Sequence, residues 1–271
     1  MQLAISNIAW SKRADDTIAS SLIAAGGEAL EVAPSRLWVD PAGVTQSEAN
    51  AVKATWADRG LPIVSMQSVL YGEPAAALFK SEGGLRAMLA RLAAVIKLAG
   101  ALGCGPIVFG SPLNRLKGPL DFHEAVRRAV PVFRQIGDLA ANADCVLCIE
   151  PNAPDYGCDF VTRLSEASEL VHAVGHPSVG LVVDTGNMEM VGDEIVDLRT
   201  VHHSVRHLHI SRVRLRPVDE AAIFARRVVE MMLDVGFRGI ATIEMRQSDS
   251  DLQDLGAVCH ALETVRRWRD G

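Results

Sequence analysis

A chain of 271 residues that is 49% hydrophobic and 22% charged has enough apolar side chains for one large α/β core or two small ones, and reads as an ordinary soluble globular protein. Its net charge of -6 argues against a polyanion partner such as nucleic acid, because that affinity rests largely on Lys and Arg neutralising phosphates. No apolar run is long enough to span a bilayer, so no membrane association is expected.

The first residues, MQLAISNIAW, read directly as a strand, with neither a basic leader nor a sustained apolar stretch before a cleavage site, which places the protein in the cytoplasm. Five cysteines, an odd number in a large chain, suit reduced thiols better than a disulfide framework. From that first strand, LAISNIAW at Leu3, strand-like runs recur in chain order: ALEVAP from Ala29, PIVSMQS from Pro62, PIVFGSP from Pro106, VLCIEPN from Val146, VGLVVDTGN from Val179, VRHLHIS from Val205 and IATIEMR from Ile240. Each is short, rich in apolar or β-branched residues and bounded by turn residues. Between them lie longer stretches of helical spacing, such as Leu85, Met88, Leu89, Leu92, Val95, Ile96 and Ala99. Eight strand and helix units in this length predict a closed (β/α)8 TIM barrel spanning residues 1–271 as a single domain, with no linker composition to divide it. The structural alternative is a doubly wound open sheet. That fold would normally carry a glycine-rich phosphate loop after the first strand, and SNIAWSK contains no glycine.

Four strand ends carry the chemistry: Glu150 in CIEPN, Asp184 in VVDTGN, His209 in HLHIS and Glu244 in TIEM. Residues two apart on a strand share a face, so Cys148, Glu150 and Asn152 point one way, as do Val182 and Asp184, His207 and His209, and Thr242, Glu244 and Arg246. If that face is the barrel interior, each candidate stands near the top of its strand, where barrel active sites lie. A single buried acid at a strand end is often a hydrogen-bonded structural group. Three acids together with an imidazole are hard to sustain in a barrel mouth without a cation, because like charges repel and unpaired buried carboxylates are costly. A mostly oxygen donor set favours Mn2+ or Mg2+, with Co2+ or Zn2+ as alternatives.

The segments AISNIAW, MQS, VFGSPLNR, CIEPNAPDYGCDF, VVDTGN, HLHIS and IEM together resemble the xylose isomerase-like TIM-barrel superfamily of sugar isomerases and epimerases, over essentially the whole chain. The resemblance implies one divalent cation held by Glu150, Asp184, His209 and Glu244. It also implies chelation of a sugar or sugar derivative through its carbonyl and a neighbouring hydroxyl, so that a cis-enediolate is stabilised when the adjacent C–H proton leaves. On this reading Glu150 and Glu244, on opposite sides of the sugar, exchange the proton as base and acid. A homodimer is a further expectation from the resemblance alone.

Substrate contacts are sought at the upper ends of the first four strands, in Asn7, Gln67, Ser111, Asn114 and Arg115. Residues of the FGSPLNR type can bind hydroxyls or a phosphate, or can simply stabilise their own loop. Trp10 offers an apolar wall for a sugar or a packing residue. Many relatives have a histidine three residues after the metal-binding Asp, where this chain has Asn187, which leaves a substrate contact or proton-handling role there in question. The basic residues Arg212, Arg214 and Arg216 after HLHIS point either to an anionic substrate or to a solvated loop.

Other motifs have structural readings. Cys145 and Cys148 face opposite sides of a strand and make a poor redox or zinc pair. Gly100, Gly103 and Gly105 end a helix and enter a strand. His207 is expected deeper in the barrel, orienting its neighbours or supporting the metal, and His202 and His203 fall at a helix end. A dehydratase or lyase using the same metal chemistry is the alternative function. A nuclease of the apurinic-site type would need additional histidine ligands at the earlier strand ends, and a non-catalytic sugar-binding barrel would not need both Glu150 and Glu244.

Overall fold

In the computed structural model, which describes every residue except Asp249, eight parallel strands close on themselves in sequence order. They are β1 (Gln2–Ser6), β2 (Ala29–Val32), β3 (Ile63–Met66), β4 (Pro106–Phe109), β5 (Val146–Ile149), β6 (Val179–Asp184), β7 (Val205–Ile210) and β8 (Ile240–Ile243), with β1 pairing β8 through Ala4 and Thr242. The expected (β/α)8 barrel is therefore the fold, and the open-sheet alternative is set aside.

Local signals explain where the helices begin and end. The helix Glu82–Leu102 starts at Ser81, whose hydroxyl accepts the amide of Gly84, and stops at Gly103, whose φ of 86° is left-handed. The helix Gln46–Asp58 opens with a reciprocal pair between Thr45 and Glu48, and Asp121 caps the helix Phe122–Ala141. Two four-residue segments, Pro34–Leu37 and Leu198–Val201, add to the eight helices that the strand and helix alternation predicts. Gly100 lies inside its helix and not at its end: a Cβ there would come within 2.7 Å of the Ala143 carbonyl oxygen, so glycine permits a close helix contact.

The strands are shorter than their apolar runs suggest. β1 ends at Ser6 and passes into a 3-10 turn at Asn7–Ala9, and β5 ends at Ile149, one residue before Glu150. Ladder pairing ends at the barrel rim, and from there the backbone turns outward and carries side chains over the mouth.

Alternation divides each strand between two environments. Leu3, Ile5, Leu30, Val32, Ile107, Phe109, Leu147, Ile149, Leu181, Val183, Leu208 and Ile210 belong to the main core shared with the helices. The inner faces split into two halves. Val108, Cys148 and Val182 form a small apolar cluster, while Ser6, Glu31, Ser65, Gln67, His207 and Thr242 are buried polar residues. Register aligns Ser6 with Glu31, Glu31 with Ser65, Asp184 with His209 and His209 with Thr242. Among the described residues no helix is long and apolar enough to cross a membrane.

Candidate metal centre and active site

Consecutive strands β5 to β8 deliver Glu150, Asp184, His209 and Glu244 to one point, with ligand atoms all within 4.8 Å of one another. His209 is the deepest, 1% exposed, while Glu150, Asp184 and Glu244 are 8%, 7% and 9% exposed and face the mouth. Its Nδ1 lies 2.7 Å from Glu150 Oε1, 3.4 Å from Glu244 Oε2 and 4.0 Å from Asp184 Oδ2.

Glu150 and Asp184 are held by their own surroundings. Glu150 follows β5, and its Oε2 accepts from the Asn152 amide at 3.0 Å. Asn152 Oδ1 in turn accepts from Arg115 Nη2 at 3.0 Å, and that nitrogen also donates to the Glu150 carbonyl at 2.7 Å. At the end of β4, Gly110 leaves room for the carboxylate: a Cβ there would fall 2.5 Å from Glu150 Oε2. Asp184 caps the helix Thr185–Val191, accepting from the Asn187 amide at 2.5 Å, and both of its oxygens accept from Ser211 Oγ at 3.1 and 2.9 Å. Gly186 lets that helix approach Ser211 and Arg212, since a Cβ would meet Ser211 Oγ at 2.5 Å.

Glu150 Oε1 and His209 Nδ1 are both buried and have no hydrogen-bond partner beyond each other, at 2.7 Å. Buried polar atoms are rarely left in this state, and two lone-pair donors directed at one point are the arrangement a cation completes. The donor set, three carboxylates and one imidazole, fits a divalent ion with several oxygen ligands.

The electrostatics agree. Burial, then the charges of Glu150 and Glu244, push the Asp184 carboxyl up to about 7. Burial disfavours a charged His209, yet Glu31 first and then Glu244 and Glu150 outweigh it and hold the imidazole well above its ordinary value. Glu150 is also buried, but His209, Asn152 and Arg115 keep its carboxyl below the usual range. In the protein alone, protons supply the positive charge that these acids require.

The residues sought as substrate contacts have diverse surroundings. Asn7 Oδ1 accepts from the Ala33 amide at 2.8 Å, tying the ends of β1 and β2 together. Gln67 is buried and donates to Ser6 Oγ at 2.8 Å and Glu31 Oε1 at 3.1 Å. Asn114 spends its amide donor on the carbonyls of Glu73 and Ala76 at 2.8 and 2.7 Å. Arg115 is 1% exposed and, besides Asn152 and the Glu150 carbonyl, donates to the carbonyls of Phe109 and Val161. For Asn114 and Arg115 these contacts favour the loop-stabilising reading of the two that the sequence leaves open. Ser111, with a left-handed φ of 43°, lines a cleft of about 480 Å³ on the mouth side of β3 and β4, together with Ser68, Tyr71, Leu113 and Asn114. Asn187 is buried, and its Oδ1 accepts from the Ala153 amide.

Trp10 is fully buried, with its indole nitrogen donating to Asp15 at 2.8 Å, so it packs and does not form a wall of the mouth. In the basic loop Arg212 pairs with Asp219 at 2.7 Å, and Arg216 donates to the Val213 carbonyl. Cys145 and Cys148 are free thiols, as expected of residues on opposite faces, and burial pushes them up to about 11 and about 12.

Three participants escape the motif reading. Ser211, directly after β7, braces Asp184. Tyr156 stands at the rim, where burial, then Asp184, Glu244 and Glu150, raise its phenol. Glu31, fully buried on β2, bonds both barrel histidines. A lone acid inside the apolar run ALEVAP is the same signal that marks CIEPN, and it sits one strand-turn deeper.

A family model described as xylose isomerase-like TIM barrel matches residues 21–268. The chain belongs to that family. Comparison with curated proteins finds no significant match. Among solved structures, a D-psicose 3-epimerase from Clostridium cellulolyticum H10, determined with D-tagatose, superposes with a TM-score of 0.80 at 18% identity, covering 100% of this chain and 99% of that one. A 3-keto-D-glucoside 4-epimerase from E. coli gives 0.70 at 17% identity with 100% of both chains covered. The IOLI protein, crystallised with a bound zinc atom, gives 0.73 at 14% identity over 100% of this chain and 98% of its own. At these identities the likeness establishes the shared barrel.

Proposed function

We propose that this family member is a divalent-metal-dependent isomerase or epimerase of a sugar or sugar derivative. The observation that carries this reading is the convergence of Glu150, Asp184, His209 and Glu244 from four successive strands at the C-terminal mouth, with buried atoms of Glu150 and His209 that have no partner outside the quartet. Solved structures named as sugar epimerases superpose over the whole chain, which favours proton transfer over dehydration as the use of the site.

When bound, the cation polarises the substrate carbonyl and stabilises negative charge on its oxygen. Removal of the proton from the neighbouring carbon leaves an enediolate. Glu150 and Glu244 come from β5 and β8, three strands apart around the mouth, and on this reading one carboxylate takes the proton while the other returns one to the opposite face. Return to the same carbon from the other side inverts it, and return to the former carbonyl carbon, with the hydroxyl proton passing between the two oxygens, moves the carbonyl. Asn152 donates to Glu150 Oε2, which leaves Oε1 directed at the cation position beside His209 Nδ1. Ser111 and its cleft offer a place for the distal end of the substrate. Mn2+ or Mg2+ is the ion best matched to the oxygen-rich donor set.

The test is metal analysis of the purified protein, followed by incubation with ketoses, inososes and sugar acids in deuterated water. The expected result is one equivalent of divalent metal and metal-dependent incorporation of deuterium at a carbon beside the carbonyl. Incorporation that is absent across the panel, or unchanged by metal removal, contradicts the proposal.

A further inference from the structure

Deeper than the metal quartet lies a buried polar group to which the proton transfer assigns no task. Glu31 on β2 is 0% exposed, as are Ser65, His207 and Thr242. Its Oε1 accepts from His209 Nε2 at 3.1 Å and Gln67 Nε2 at 3.1 Å. Its Oε2 accepts from His207 Nε2 at 2.8 Å and Ser65 Oγ at 2.8 Å, with Thr242 Oγ1 at 3.5 Å. A fully buried carboxylate is tolerated only with such a complement of donors. The strand register that aligns Glu31 with Ser65 supplies Ser65 and Gln67 from its own side of the barrel, and the histidines reach it from the opposite side.

An ionised carboxylate only accepts, so an imidazole bonded to it through Nε2 must carry its proton there. His209 then has a single nitrogen for anything else, Nδ1, and that is the atom facing Glu150, Glu244 and Asp184. We infer that Glu31 is the positioning residue of the metal centre: by accepting the Nε2 proton of His209 it fixes the tautomer and ring plane that present Nδ1 to the cation. Gln67 and Ser65 act one step further out, holding the two oxygens of Glu31. Second partners of this kind typically change metal affinity by about 10–100-fold when removed.

Glu31, His207 and His209 also satisfy the spacing of a second cation site. Their facing atoms are already paired at hydrogen-bond distances, and a metal there would have to displace those bonds and share His209 with the first ion. The hydrogen-bonded reading uses every one of these contacts.

The inference rests on the quartet being a cation site, and the experiment separates the two. Mn2+ binding is measured by titration calorimetry on the wild-type protein, Glu31→Gln, His209→Gln and the double variant, with thermal unfolding as the control for folding. The expected outcome is one site in the wild type and at least about tenfold weaker binding in Glu31→Gln at unchanged stoichiometry. In the His209→Gln background, the same substitution should change affinity by less than about twofold, because Glu31 acts through His209. Nitrogen NMR of the Zn2+-loaded wild type should show His209 bound through Nδ1 with its proton on Nε2, and Glu31→Gln should disturb that signature. If Glu31→Gln does not fold, Ser65→Ala, which keeps the carboxylate but removes a hydroxyl that orients it, should weaken Mn2+ by a few fold. Equal affinity in the variants, additive losses in the double variant, or two equivalents of metal with one lost in Glu31→Gln overturns the inference. No Mn2+ binding by the wild type overturns the cation site as well.

Discussion

Glu150 Oε1 and His209 Nδ1 stand 2.7 Å apart in the floor of the barrel mouth, one from the end of β5 and one from β7, and neither has another hydrogen-bond partner. Glu150→Gln removes one charge and half of the carboxylate's donor capacity from this pair. Deuterium exchange into substrate is expected to fall by at least about a thousandfold in Glu150→Gln and in Glu244→Gln, since each deletes an acid–base group and a metal ligand together. The thermal stability of metal-free Glu150→Gln should be at or below wild type, because the fold favours the charged carboxylate through His209, Asn152 and Arg115. Retained exchange in both variants removes the assignment of these two carboxylates as proton carriers.

Gly110 tests the space around Glu150 independently of charge. A methyl group at this position would lie 2.5 Å from Glu150 Oε2, with the Asn152 amide at 3.4 Å. Gly110→Ala should therefore leave the barrel folded but turn the carboxylate away, lowering turnover by about 10–100-fold, as a misplacement of about 1 Å can. A circular dichroism spectrum like that of the wild type, together with wild-type kinetics, counts against the tight fit.

Arg115 makes opposite predictions under its two readings. As the buried clamp joining Phe109, Glu150, Asn152 and Val161, it should cost about 2–4 kcal/mol of unfolding free energy when replaced by Met, because the carbonyls it serves lose their donors. As a substrate phosphate ligand it would instead change KM with little effect on stability. Urea unfolding of Arg115→Met beside its kinetics decides between them, and the expected result is the large loss of stability.

Metal binding should depend on pH through Asp184 and His209. Asp184, raised to about 7, and His209, raised well above its ordinary value, must both give up protons before they can bind a cation. Apparent Mn2+ affinity is expected to fall by about tenfold or more for each pH unit below about 7. The stability of the metal-free protein should move the other way. A carboxyl raised above its unfolded value costs stability as pH climbs from the unfolded pKa of 3.8 through about 7, and a raised imidazole loses its contribution as pH rises through its folded pKa. Added Mn2+ should offset both losses near neutrality, and unfolding curves with and without the ion across this range would show it. An affinity independent of pH would mean that these groups are already deprotonated in the free protein.

The alternation of short apolar runs with helical stretches was sufficient, by itself, to determine a parallel α/β fold of eight units, because a parallel strand must be apolar on the face that meets the helices and each connecting helix must cover it. Closure was decided by the tertiary structure. The same alternation identified the inward faces at Glu150, Asp184, His209 and Glu244, since side chains on a strand repeat every two residues. Sequence spacing carries no information about what lies across a closed sheet. Glu31 and His207 are 176 residues apart and meet only because the barrel closes, and Ser211 reaches Asp184 only because β6 and β7 pair in the register that aligns Asp184 with His209. Only the tertiary structure shows where Asn114 and Arg115 spend their donors: both are polar residues in a loop near the mouth, suited to a ligand in composition, and in the fold their donors go to backbone carbonyls. Local sequence thus sets which way each side chain points, and the closed barrel sets which partner it finds there.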